Sequence, residues 1–185
     1  MPTAIEAQYQ TFWPRFWSGW IDTAIFLPLA FLDYLLDQHL HSPVVLAFWF
    51  VLYSSCFEIY SVAMHARYGQ TLGKMAMGIK VLDVSGGKLV LRQALLRDCV
   101  PILLSLMAIF EDLPKVLAGI SLFDNPELGT WTVLGMYGSF LWFGAELVTM
   151  LTNAKRRALH DFIAGSVVVR TGSPGVPVER DATVG

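Results

Sequence analysis

Three carboxylates stand inside long apolar runs: Asp22, Glu58 and Glu146. An ionised side chain at membrane depth is costly, so it faces the interior of a helix bundle, pairs with another group or lines a wet path. Three such acids at a common depth would bind a cation or carry a proton. The structural alternative is that each pairs with an Arg, accepts hydrogen bonds or is kept protonated by desolvation. Arg15 lies seven residues before Asp22, two helical turns away on the same face. The rise between them is ~10 Å, so Arg15 is better placed to meet a partner on another interfacial segment. Asp161, in the run Arg156-Arg157-Ala158-Leu159-His160-Asp161, is the candidate.

Other chemistries find little support. His39 and His41 have an HxH spacing, but a full metal site needs further ligands, and no metal or cofactor is expected. Cys56 and Cys99 lie far apart in apolar surroundings, without the spacing of a zinc site or a disulfide framework. Thr71-Leu72-Gly73-Lys74 lacks the first Gly of a phosphate-binding loop, and Met75 stands where Ser or Thr would follow. It reads instead as the start of an interfacial helix capped by Thr71, with Lys74 near anionic headgroups. No nucleophile elbow or HExxH appears, and the chain is not expected to be an enzyme.

The elements that must position these groups are membrane helices. Hydrophobic residues make up 55% of the 185-residue chain and charged residues 15%, against about a quarter charged in soluble domains. A net charge of −2 argues against a nucleic-acid partner. Crossing a ~30 Å apolar core takes roughly 20 residues. Spans are expected at about 16–36, 44–64 and 131–151, with Trp17, Trp20 and Trp131 towards their ends as in an aromatic belt. The remaining span, at about 93–112, is interrupted. One reading starts it near Gln93, with Arg97 snorkelling to the interface, and ends it near Phe110, leaving 114–123 as a short surface helix. The other is a single kinked span over 99–122 with its charges facing protein. No cleavable leader is expected, since the first fourteen residues hold no Lys or Arg.

Within loop 67–92, Ile79, Val81 and Val84 precede a turn at Ser85-Gly86-Gly87 and then Leu89 to Leu91, which predicts a small β-hairpin. Val167 to Val169 would add a strand beside it. Asn153 to Ala164 reads as a basic amphipathic helix, and the tail 171–185, rich in Gly and Pro, as disordered. With four spans, twelve of the thirteen Lys and Arg residues share one side, and only Lys115 lies elsewhere. That asymmetry places both termini in the cytoplasm. The expected fold is an all-α, four-transmembrane-helix bundle with a cytoplasmic hairpin and amphipathic interfacial helices.

Arg15 followed by Asp22, then Gly69-Gln70-Thr71-Leu72-Gly73-Lys74 with Gly78-Ile79-Lys80-Val81, Gly86 and Arg97, then Arg157-Ala158-Leu159-His160-Asp161 with Ala164-Gly165-Ser166, resemble in order the motifs of the RDD family of membrane proteins. Ser166 stands where the pattern would have Thr. The resemblance covers about residues 12–170, which would form one transmembrane domain. It implies Arg15, Asp22 and Asp161 as the family's named residues, and it implies transport in some members without implying a reaction. Two functions follow as expectations for a multi-pass protein of the bacterial inner membrane. One is transport of a cation, proton or small solute through Asp22, Glu58 and Glu146, with a homo-oligomer supplying room for the path. The other is an accessory role, binding another membrane protein or lipid through the basic face that carries Thr71, Gly73, Lys74, Arg97, Arg157 and His160.

Overall fold

Three uninterrupted apolar stretches form the long helices α1 (Phe12–His39), α2 (Pro43–Tyr68) and, late in the chain, α6 (Thr130–Thr152). In the computed structural model, which describes residues 7–124 and 129–172, each is long and apolar enough to cross a membrane. Their large side chains point outward: Phe31, Phe48, Phe140 and Leu141 are all exposed. This is the arrangement expected where lipid rather than protein covers the helix. Pro43 opens α2 in its first turn, where its missing N–H costs nothing. The expected disordered tail lies, from residue 173 onward, outside the described residues.

Between α2 and α6 the chain forms α3 (Leu72–Ala76), β1 (Ile79–Asp83), α4 (Leu91–Arg97) and α5 (Cys99–Leu117). After α6 come α7 (Leu159–Ile163) and β2 (Ser166–Arg170). α4 and α5 meet at 63° across Asp98 and pass the length and composition test for a span only as a pair, so three or four helices among the described residues can cross. α5 starts beside α2, where Ser61 Oγ donates to Asp98 at 2.6 Å. The loop after α5 reaches the far end of α1, where Ser121 Oγ donates to Asp37 at 2.6 Å. α5 therefore runs antiparallel to α2, from the C-terminal end of α2 to the level where α1 ends.

Of the two expected forms of the third span, the one ending near Phe110 is corrected, because the helix continues through Pro114 to Leu117. The form over 99–122 with its charges facing protein lies nearer the structure, with the bend at Asp98. The acids that seemed to end it have partners. The Glu111 carboxylate accepts from the backbone N–H of Thr132 at 2.7 Å and of Trp131 at 3.2 Å, capping α6, and Asp112 pairs with Lys115 at 2.6 Å. A carboxylate at a helix N-terminus meets unpaired N–H groups and a favourable dipole.

The expected hairpin is also corrected. β1 pairs not with Leu89–Leu91 but antiparallel with β2, in the register Ile79↔Arg170, Val81↔Val168 and Asp83↔Ser166. The Gly-Gly turn does form, closed by Asp83 N–H to the Gly87 carbonyl at 2.9 Å, with Gly86 at φ 89°. Beyond it, Leu89 turns into the core, packing with Ile79, Val81, Ala94 and Val168 against Val62 and Ala66 of α2. Burying both sheet faces decides the pairing: Leu82, Val167 and Val169 cover the other side with Tyr9. Gly69 ties this sheet to α2, because its φ of 69° ends the helix and its missing Cβ leaves room for the Val81 carbonyl. The amphipathic helix expected over Asn153–Ala164 is confined to α7. The Asn153 side chain accepts from Arg157 N–H at 3.0 Å, and Arg156 takes φ 49°, which breaks the helical path.

Candidate functional site

The sheet, α3 and α7 gather at the end of the bundle where α1 begins and α6 ends. Two carboxylates organise this end. Asp161, in the first turn of α7, is completely buried. One oxygen accepts from Arg15 Nη1 at 2.6 Å and from Ala158 N–H at 3.0 Å. The other receives Arg97 Nη1 and, at 3.1 Å, the hydroxyl of Ser166. Burial would raise this carboxyl, but Arg97 and Arg15 hold it well below the usual carboxylate range. Arg15 also donates Nη2 to the Arg156 carbonyl at 3.1 Å, joining α1 to the loop before α7. Arg157 donates to the carbonyls of Asp161 and Ser166, both at 2.9 Å, and its guanidinium lies 4.2 Å from the Phe162 ring centroid.

Arg97, expected to reach the interface, is only 5% exposed and turns inward. A buried carboxylate with one oxygen not fully satisfied by Arg15 draws it in.

The second carboxylate, Asp22, is 3% exposed and accepts three hydrogen bonds. Tyr60 Oη donates at 2.8 Å, Gly73 N–H at 2.8 Å and Thr71 Oγ1 at 2.6 Å. Asp22 thus fixes the start of α3 on α1. Thr71 Oγ1 also accepts the Lys74 N–H at 3.3 Å as the helix cap, and Tyr60 Oη accepts the Leu72 N–H at 2.7 Å. Thr71→Val should therefore lower stability by about 1–2 kcal/mol, since it removes one cap and one donor to a buried carboxylate. A thermal melt in detergent reads this, and an unchanged midpoint would show that water replaces the hydroxyl.

The three intramembrane acids sit in separate surroundings. Asp22 is saturated by α2 and α3 donors. Glu58 lines an apolar groove with Ile59, Leu95 and Leu106, and its Oε2 has no hydrogen-bond partner among the described residues. Glu146 bonds to His160 Nδ1. That last pair lies in the wall of a cavity of about 210 Å³ between α1 and α6, lined also by Arg15, Lys74, Arg97 and the aromatic faces of Phe16 and Phe143. Burial and the nearby Arg97 lower the His160 imidazole, against Asp161 and Glu146, which raise it. Burial and then Arg97 lower the Lys74 ammonium to about 8, against the pull of Asp22 and Asp98.

Sequence reasoning missed Tyr60, which carried no signal. It also missed the Ser61–His65–Asp98 group, in which His65 Nδ1 lies 2.8 Å from the Ser61 carbonyl. There the signal was a Ser and a His four residues apart within an apolar helix. His39 and His41 fall at the end of α1 and just beyond it. No group of three or more His, Cys, Asp or Glu side chains able to hold a metal occurs among the described residues.

No curated protein and no solved structure matches the chain. A family model, the RDD family, matches residues 9–165. That interval runs from the segment before α1 to the turn before β2, and contains Asp22 with its donors and the Arg15–Asp161–Arg97 cluster. On that match over most of its length, the chain belongs to the RDD family of integral membrane proteins.

Proposed function

We propose that this protein is a non-enzymatic, proton-coupled carrier of a small solute in the bacterial inner membrane, with four spans and both termini cytoplasmic. Counting α4 and α5 as one broken span supports the even number, and so does the sharing of one side by twelve of thirteen Lys and Arg residues. The observation that carries the transport reading is the Glu146–His160 pair in the cavity wall beside Lys74. A carboxylate and an imidazole in hydrogen-bond contact share one proton, and a charge arriving in the cavity changes which of them holds it. Arg15, Lys74 and Arg97 make the cavity cationic, so the solute favoured is an anion accompanied by a proton. A single cation site built from Asp22, Glu58 and Glu146 draws no support from acids in three separate surroundings.

In vesicles loaded with a pH dye, an inward anion gradient should drive a lumenal pH change, and Glu146→Gln should reduce its rate at least tenfold. A wild-type protein silent under every anion and cation gradient would sink the carrier reading. One feature favours the alternative, an accessory role. The groove of about 370 Å³ between α2 and the α4–α5 pair is apolar apart from Glu58 and Ser55 and Ser105, and it suits a helix of another membrane protein. That reading expects a partner that co-purifies in mild detergent; a lone, monodisperse homo-oligomer would count against it.

A further inference from the structure

We propose that the cavity between α1 and α6 seats the headgroup of an anionic phospholipid, with the phosphate against Lys74 and Arg97 and the acyl chains outside, along the gap between the two helices. The inference rests on the carrier reading only in taking the same cavity as the site.

The donors come first. Arg97 commits Nη1 to Asp161 and Ser166, while its Nε and Nη2 have no hydrogen-bond partner among the described residues. Lys74 Nζ likewise has none, and no carboxylate lies within ion-pair distance of it among those residues. Of the nearby acids, Asp161 is taken by two guanidiniums, Glu146 by His160, and Asp22 by three neutral donors. Burial and Arg97 lower the ammonium, to about 8, by more than Asp22 and Asp98 raise it. An anion with several acceptor oxygens would meet charge-assisted donors on both residues.

The shape selects among anions. About 210 Å³ is less than the roughly 300–1,000 Å³ of pockets that enclose a whole drug-sized ligand, so it holds a headgroup rather than an entire lipid. α1 and α6 make at most glancing contact with each other. Phe16 and Phe143, on opposite walls of the opening, are 40% and 59% exposed. The mouth is therefore apolar and faces the bilayer. A phospholipid fills both the cationic cavity and its apolar mouth, whereas a small soluble anion occupies the cationic part alone.

Native mass spectrometry of the full chain in detergent tests this, with dioleoyl phosphatidylglycerol and dioleoyl phosphatidylcholine as probes. Wild type should bind phosphatidylglycerol at least tenfold tighter. Lys74→Gln should weaken it about tenfold, the size of one charge-assisted contact. Lys155→Gln, an exposed basic residue outside the cavity, should bind as wild type. Gly19→Phe tests occupancy without touching charge, because a Cβ there meets open space on the cavity wall; it should abolish the preference. Should Lys74→Gln fail to fold, Gly19→Phe decides. Equal binding of the two lipids, an unaffected Gly19→Phe or equal losses in both Lys variants would overturn the proposal. So would full displacement of lipid by inorganic phosphate, which would assign the site to free anion. Phosphatidylglycerol binding without flux under any gradient would reject the carrier reading alone. Flux of soluble anions without lipid preference would reject this inference alone.

Discussion

Asp161→Asn should lower stability by about 3–5 kcal/mol, the range for removing one partner of a buried ionic group. Asp161 is fully buried and faces Arg15, itself 10% exposed at its side chain, and Arg97. Neutralising it leaves two buried guanidiniums and turns an amide N–H₂ towards one of them. The loss also spreads, because Asp161 connects α1, α4, α7 and β2. Thermal unfolding in one fixed detergent reads it, and a drop no larger than that of Lys155→Gln would mean the cluster is solvated. The pH dependence has a definite sign. The folded carboxyl lies well below its unfolded value of about 3.9. Its contribution is therefore complete above that unfolded value and fades as pH falls through the folded one. The gap between wild type and Asp161→Asn should stay flat from about pH 5 upward and narrow only in strong acid. A charge swap of Arg15 and Asp161, which would rescue an isolated pair, should fail here, since an Arg at position 161 would face Arg97.

What could be read from the sequence follows from the range over which each signal acts. α1, α2 and α6 are legible because lipid rewards a uniform apolar run, which needs no knowledge of neighbours. The α4–α5 pair leaves two readings open because Glu111 and Asp112 look like unpaired charges until the start of α6, some twenty residues on, is seen to need a cap. The Gly-Gly turn is a local signal and forms, and Val167 to Val169 do form the expected strand, but that it replaces Leu89–Leu91 at the side of β1 depends on Leu89 having a better use in the core. The same limit holds at the site. Arg15 could be sent towards Asp161 because an interfacial Arg without a local partner must look elsewhere. Arg97 carries the same kind of charge in the same kind of place, and nothing local distinguishes an Arg that snorkels from one that turns inward. The separation of Asp22, Glu58 and Glu146 is equally hidden: depth along a helix can be counted, but the direction of each face depends on helix packing.

Gly73→Ala should be nearly as damaging, although it adds only a methyl group. A Cβ at position 73 would lie 2.1 Å from the Ser18 carbonyl and 2.9 Å from the Asp22 carboxyl. Neither can retreat, since Ser18 is backbone within α1 and Asp22 is held by Tyr60 and Thr71. α3 must lift off α1, which adds about 1–3 kcal/mol of overpacking to the roughly 1.5–3 kcal/mol of a hydrogen bond to a charged group. Gly135→Ala is the control: a Cβ there meets nothing within 4 Å inside α6, and the better helix former should be neutral or stabilise by up to about 1 kcal/mol. Equal melts for the two variants would mean that α3 is not seated on α1. The consequence for function is larger than the loss of stability. Lys74 follows Gly73, so the close approach that Gly73 permits is what holds the ammonium at the cavity wall. Folded Gly73→Ala protein, recovered at low temperature, should therefore lose both phosphatidylglycerol preference and proton-linked flux, while Gly135→Ala keeps both. Retention of both by Gly73→Ala would show that Lys74 reaches the cavity without α3 docked on α1, and would separate the Asp22 contact from the site.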